Sequence, residues 1–138
     1  MRLGKNAKID LIKRAPLFAN CSKGELAEVA SIADELDLPE GRRLIREGER
    51  GREFFVLLEG EAEVTRDGTP IATMKSGDFF GEIALVSDAP RTATVTATTP
   101  VRVLVVTDRA FRSLLEHSPQ IQLKVLRALA ERLAPTTI

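Results

Sequence analysis

Phe80-Gly81-Glu82-Ile83-Ala84-Leu85-Val86-Ser87-Asp88-Ala89-Pro90-Arg91-Thr92-Ala93-Thr94-Val95 places one carboxylate at the head of a short helix-capable run and one guanidinium nine residues later, where a strand begins. Around them stand a glycine and small residues. A phosphate is held well by a planar guanidinium, whose fork donates two charge-assisted hydrogen bonds, and Arg91 offers one. It is also held by backbone N–H groups in the first turn of a helix, which Glu82 to Leu85 would supply. Gly81 and Ala84 keep side-chain bulk away from an approaching anion. The Glu82 carboxylate can accept from a sugar 2′-hydroxyl, and Thr92 and Ala93 add a hydroxyl or backbone donor without filling the space. A lone arginine or a lone Gly-Glu is ordinarily a surface feature. Their order and spacing together describe a cradle for one phosphate and one ribose. Glu82 also sits among Phe79, Phe80, Ile83 and Leu85, and a carboxylate in apolar surroundings needs a partner, either Arg91 or a ligand.

Working outward, residues 38–107 are cut into short pieces by Gly41, Gly48, Gly51, Gly60, Gly68 and Gly77. Phe54 to Leu58 is continuously apolar, which predicts a strand buried on both faces. Glu61 to Arg66 alternates, and Asp67-Gly68 before Thr69 to Met74 is a two-residue hairpin signal. Thr92 to Ala97 alternates again, and Val101 to Val106 closes the series. Short strands with frequent turns predict an antiparallel sandwich or barrel.

Helical patterns flank this middle. Ser22 with Glu25 forms a capping box, and Leu26, Val29, Ile32, Ala33 and Leu36 follow at helical spacing, which predicts helix up to Pro39. Residues 1–14 hold five basic residues and one acidic, and read as a basic, partly ordered tail, with Ile9, Leu11 and Ile12 available for a docking turn. After the strands, Asp108 can cap a helix carrying Phe111, Leu114 and Leu115. Ser118-Pro119 starts a last helix over 119–134, with Ile121, Val125, Leu126, Leu129 and Leu133 as its apolar stripe and Pro135 as its stop. The fold class expected is α+β: an antiparallel β-roll, a jelly-roll-like barrel, with an N-terminal helix and C-terminal helices, in a single domain of 138 residues.

Composition narrows the partners. Twenty basic residues balance twenty acidic ones, so no global field draws nucleic acid or an anionic membrane. No apolar run is long enough to span a bilayer, and the N-terminus lacks the apolar core of a signal peptide. The one cysteine, Cys21, precludes an internal disulfide and fits a reducing compartment, so a cytoplasmic location is expected. His117 is the one histidine, too few for a metal-dependent β-barrel oxygenase, and reads as a surface or capping residue. Cys21 has no histidine in its sequence neighbourhood to activate it, and no Walker or dinucleotide loop is present. No catalysis, cofactor or metal is expected.

The cassette resembles the phosphate-binding cassette of cyclic-nucleotide-binding domains. The resemblance runs from about Leu17 to Leu133. Pro39-Glu40-Gly41, Ile45-Arg46-Glu47-Gly48 and Phe55-Val56-Leu57-Leu58-Glu59-Gly60 look like that family's early strands and turns, and Gly77-Asp78-Phe79-Phe80-Gly81-Glu82 like the way into its cassette. The spacing from Glu82 to Arg91 is similar to that of kinase regulatory subunits and ion-channel modules; in catabolite-activator-type regulators the loop is longer. The resemblance implies that Glu82 takes the ribose 2′-hydroxyl, that Arg91 takes the cyclic phosphate, and that backbone at Gly81, Ile83, Ala84 and Ala93 completes the cradle. Val64 and Ile71 are the expected apolar wall beside the purine. Leu126, Leu129 and Leu133 are the expected lid, with core packing or a dimer seam as the alternative for that stripe. Thr92 can read guanine held syn, yet many modules with this residue prefer cAMP, and cAMP is the ligand expected ahead of cGMP. The expected partners are the cyclic nucleotide and a second copy or an effector domain through the last helix, with no DNA-binding wing and no membrane insertion. The rival reading is a protein-interaction module on the same fold with an empty pocket.

Overall fold

The apolar run of residues 54–58 lies within β3 (Glu53–Glu59), which is buried on both faces from Phe54 to Leu57. It is buried so because it lies inside a sheet: β8 (Val101–Thr107) pairs on one side and β6 (Phe79–Phe80) on the other. β1 (Asp34–Leu38) adds to β8, giving the order β1-β8-β3-β6. The second sheet runs β2 (Arg43–Ile45), β7 (Thr94–Ala97), β4 (Ala62–Arg66) and β5 (Thr69–Met74). All these pairings are antiparallel. The structure is a computed structural model that describes residues 4–133, apart from the side chains of Pro16, Glu82, Arg132 and Leu133. The α+β class and the β-roll are as expected, but the two sheets remain open instead of closing into a barrel.

The sheets share one apolar core. Ile45, Val64 and Val95 from one meet Phe55, Phe80 and Val103 from the other, and the rings of Phe55 and Phe80 stack at 5.2 Å. Burying each such side chain is worth about 1.5–3 kcal/mol. At the β4–β5 hairpin Arg66 faces Thr69, so Asp67 and Gly68 alone make the turn. Both have positive φ, 52° and 79°, the pair of signs that a two-residue turn needs to match strand twist.

The chain divides into two compact units, a β unit over Ala33–Asp108 and a helical unit from the described residues of Met1–Ile32 and Arg109–Ile138. In the helical unit, residues 5–13 depart from the expected basic tail. They form helix α1 (Lys5–Lys13), because Ile9 and Ile12 fall three apart on one face and are buried while Lys5 and Lys13 stay exposed. Helix α2 (Lys23–Ser31) begins at the expected capping box: Ser22 N–H donates to Glu25 Oε1 at 2.7 Å and Glu25 N–H to Ser22 Oγ at 3.2 Å. It stops at Ser31, short of the Leu36 that helical spacing predicts. Asp34 to Leu38 instead pair with β8, from Asp34 opposite Val105 to Leu38 opposite Val101, and the ladder overrides the local period.

Helix α3 (Asp108–His117) buries Phe111 against Phe18, edge to face at 5.7 Å. Helix α4 (Pro119–Leu133) buries Ile121, Val125 and Ala128, leaving Leu129 half-buried and Leu126 exposed. Lys124 of α4 is ion-paired with Glu25 of α2. Residue 134 and Pro135, the expected stop, lie outside the described residues.

Candidate functional site

The cassette begins where β6 ends. Gly81 takes a left-handed conformation, φ 81°, and caps a single 3₁₀ turn over Glu82–Leu85, the run expected to be helical. A side chain at Gly81 would be strained by that φ and would meet the Glu53 carbonyl at 2.8 Å and Arg91 Nη1 at 2.7 Å. Ala84 is buried, and its N–H donates to the Gly81 carbonyl at 3.1 Å, so this donor of the expected cradle is engaged within the turn. Ile83 is exposed. The Glu82 side chain lies outside the described residues.

Arg91 arrives on a clamped backbone. Its N–H donates to the Glu49 carbonyl at 2.8 Å and its carbonyl accepts from Gly48 N–H at 2.9 Å. Its guanidinium then runs inward. Nη1 donates to the Gly81 carbonyl at 3.2 Å and Nη2 to the Glu53 carbonyl at 2.6 Å. The Glu53 carboxylate stands 3.9 Å from Nη2 on a side chain that is 43% exposed, while the Arg91 side chain is 10% exposed. The carbonyl bonds therefore hold the cation, since an ion pair that long and that wet contributes little. Burial pulls the Arg91 pKa below its ordinary value, with Glu53 opposing. Gly81 and Arg91 are thus brought together as the sequence predicts. Thr92 is exposed, with its carbonyl accepting from Arg66 Nε at 3.0 Å, and Ala93 packs half-buried against the β core.

Beside Arg91 lies a cavity of about 320 Å³, lined by the apolar Leu38, Leu44 and Phe55 and by charged residues, among them Arg46, Glu49 and Glu53. Its volume is at the small end for small-molecule pockets. Of the site residues expected from sequence, Arg91 lines it. Val64 and Ile71 part company: Val64 is in the core, whereas Ile71 is exposed where the β4–β5 register shifts. Leu126 and Leu129 belong to α4 in the helical unit.

The cyclic nucleotide-binding domain family matches residues 35–118, which contain β1 from its second residue, the other strands to β8, the cassette and α3. The chain belongs to that family. It is 38% identical over 106 residues to a cAMP-dependent protein kinase regulatory subunit of Emericella nidulans, an alignment covering 75% of this chain and 26% of the relative. Among solved structures, the N-terminal domain of a transcriptional regulator from Streptomyces coelicolor A3(2) superposes with a TM-score of 0.84 at 33% identity, covering 93% of this chain and 95% of that one. The cAMP-bound PfPKA-R fragment superposes at 0.68 with 28% identity, covering 92% and 46%. The chain spans about a quarter of the length of the curated relatives it matches.

Two residues of this cyclic nucleotide-binding domain escape sequence reasoning, Glu53 and Gly51. Both approach Arg91 only through the fold, from about 40 positions away, and no local pattern marks them. The remaining reactive side chains, Cys21 and His117, belong to the helical unit. Burial, then the Glu25 carboxylate, push the Cys21 thiol up, which keeps it protonated at neutral pH. His117 ends α3 with Nδ1 2.9 Å from the Ser113 carbonyl. Among the described residues no group of three or more His, Cys, Asp or Glu could hold a metal, and no helix is long and apolar enough to cross a membrane.

Proposed function

We propose that this domain is a cytoplasmic cyclic-nucleotide sensor that binds cAMP in preference to cGMP and acts by binding, without catalysis. In this reading Glu82 takes the ribose 2′-hydroxyl, Arg91 takes the cyclic phosphate, and ligand binding repositions the C-terminal helix for an effector. The observation that carries it is the condition of Arg91. The cation is nine-tenths buried, its two hydrogen bonds go to neutral carbonyls, and its ion-pair partner among the described residues is a solvated carboxylate at 3.9 Å. A buried charge so poorly neutralised is costly, and an anionic phosphodiester supplies the missing charge. The relatives that are cAMP-dependent protein kinase regulatory subunits, and the cAMP-bound PfPKA-R fragment, support cAMP as that ligand. Leu123 and Leu126, both exposed on α4, support that helix as the output contact.

Isothermal titration of the purified chain with cAMP and with cGMP tests the reading. Micromolar cAMP binding, roughly −8 kcal/mol, is expected, with cGMP weaker. Arg91→Gln should weaken cAMP at least about a hundredfold, because two charge-assisted hydrogen bonds are lost. No heat with either nucleotide, or undiminished binding by Arg91→Gln, would overturn the assignment.

A further inference from the structure

Gly51 is buried, and its φ lies outside the left-handed region, so its backbone is one that any residue could adopt. Nothing about the turn calls for glycine. What does is the space above its Cα. A Cβ built there would stand 2.2 Å from Arg91 Nε, 2.4 Å from Cζ and 2.7 Å from Cδ. These distances are far inside van der Waals contact, and they involve the stem of the guanidinium. That stem cannot simply swing aside, because Arg91 is fixed at both ends. Its backbone is clamped by Gly48 and Glu49, and its terminal nitrogens are bonded to the Gly81 and Glu53 carbonyls. Those two bonds occupy two of the five guanidinium N–H donors. Nε–H and one N–H on each terminal nitrogen remain.

We propose that Gly51 is a positioning residue for Arg91, glycine because the guanidinium lies directly on its Cα, and that this seat presents the remaining donors to the ligand phosphate. The seat has two walls. Gly51 and the Glu53 carbonyl come from the run that leads into and begins β3, and the Gly81 carbonyl comes from the head of the cassette. Arg91 therefore ties the cassette to β3. The part of the proposal that concerns affinity rests on the cyclic-nucleotide reading above; the seat itself does not.

A double-mutant cycle on the full chain tests both parts. Thermal unfolding without ligand is measured for wild type, Gly51→Ala, Arg91→Ala and the double variant. Gly51→Ala should lower Tm by about 3 °C or more. In the Arg91→Ala background the same substitution should cost nothing, because the atoms it would strike are gone. An equal loss in both backgrounds overturns the proposal, since the glycine would then serve its own turn. Where Gly51→Ala alone fails to fold, recovery of folding in the double variant supports the seat and continued failure overturns it. Titration with cAMP adds the second readout: Gly51→Ala should bind at least about tenfold more weakly than wild type. Unchanged or tighter binding by this variant, with wild type binding normally, overturns the positioning role. Absence of binding by wild type would count against the cyclic-nucleotide reading and leave the thermal cycle to decide the seat.

Discussion

In the proposed reading Glu82 and Arg91, which belong to one cassette, answer different parts of a cyclic nucleotide, so substitution should separate them. On that reading Arg91 takes the phosphate, which every such ligand carries. Glu82 takes the 2′-hydroxyl, which 2′-deoxy-cAMP lacks. Glu82→Ala is therefore expected to weaken cAMP by about 10- to 150-fold, the range for a hydrogen bond to a charged group, and to leave 2′-deoxy-cAMP almost unaffected. Competition titration of both nucleotides against both proteins checks this. A variant that still preferred cAMP to its deoxy analogue by the wild-type ratio would remove Glu82 from the ribose. The meeting of Arg91 with Gly81 was legible in sequence, from a guanidinium and a glycine set among small residues in one cassette. Glu53 and Gly51 were not. Glu53 acts on Arg91 chiefly through a carbonyl, which any residue possesses, and Gly51 acts through a missing atom.

At the scale of elements, legibility followed how local each determinant was. The β4–β5 turn is written in Asp67-Gly68, because positive φ at two successive positions restricts residue choice. The start of α2 is written in Ser22 and Glu25. The end of α2 is not, because Ala33 and Leu36 continue its period while Asp34 to Leu38 are claimed by β8, nearly 70 residues on. The distant ladder prevailed. Glu25 also has a use that its capping pattern hides, since it is ion-paired with Lys124 of α4 within the helical unit. The hydrogen bond from Lys124, then that from Ser22, hold the Glu25 pKa below its ordinary 4.5. A depressed carboxylate pKa contributes stability that is present above the unfolded value and is lost as pH falls through the folded one. Glu25→Gln keeps a capping-box side chain but loses the ion pair. It should cost about 1.5–3 kcal/mol at pH 7, as for a hydrogen bond between charged groups. The gap to wild type should narrow progressively below pH 4.5. Urea unfolding at pH 7 and at pH 3 measures it, and a gap of equal size at both would show that the ion pair stabilises nothing.

For the whole molecule, the open question is whether filling the cassette is felt in α4. Binding can shift a conformational equilibrium only by the difference in ligand affinity between the two states, and couplings of about 1–3 kcal/mol are usual. Such a coupling changes the opening equilibrium of α4 by about 5- to 150-fold, which amide hydrogen exchange resolves. Saturating cAMP is expected to slow exchange in the cassette over residues 81–93 and, if the sensor reading holds, to change it by that factor in residues 119–131 as well. The cassette effect alone would be local ligand protection. The α4 effect is the one that makes the domain a switch, and it should vanish in Arg91→Gln at the same nucleotide concentration. Leu126→Asp separates reception from output. Leu126 is 62% exposed, so its replacement should leave Tm nearly unchanged. If α4 is the output contact, the variant should keep both the cassette protection and the α4 response in the isolated chain, because an exposed Leu126 acts on an effector and not on the cassette. Identical α4 exchange with and without cAMP in wild type, beside clear cassette protection, would make the domain a binder whose last helix does not report occupancy.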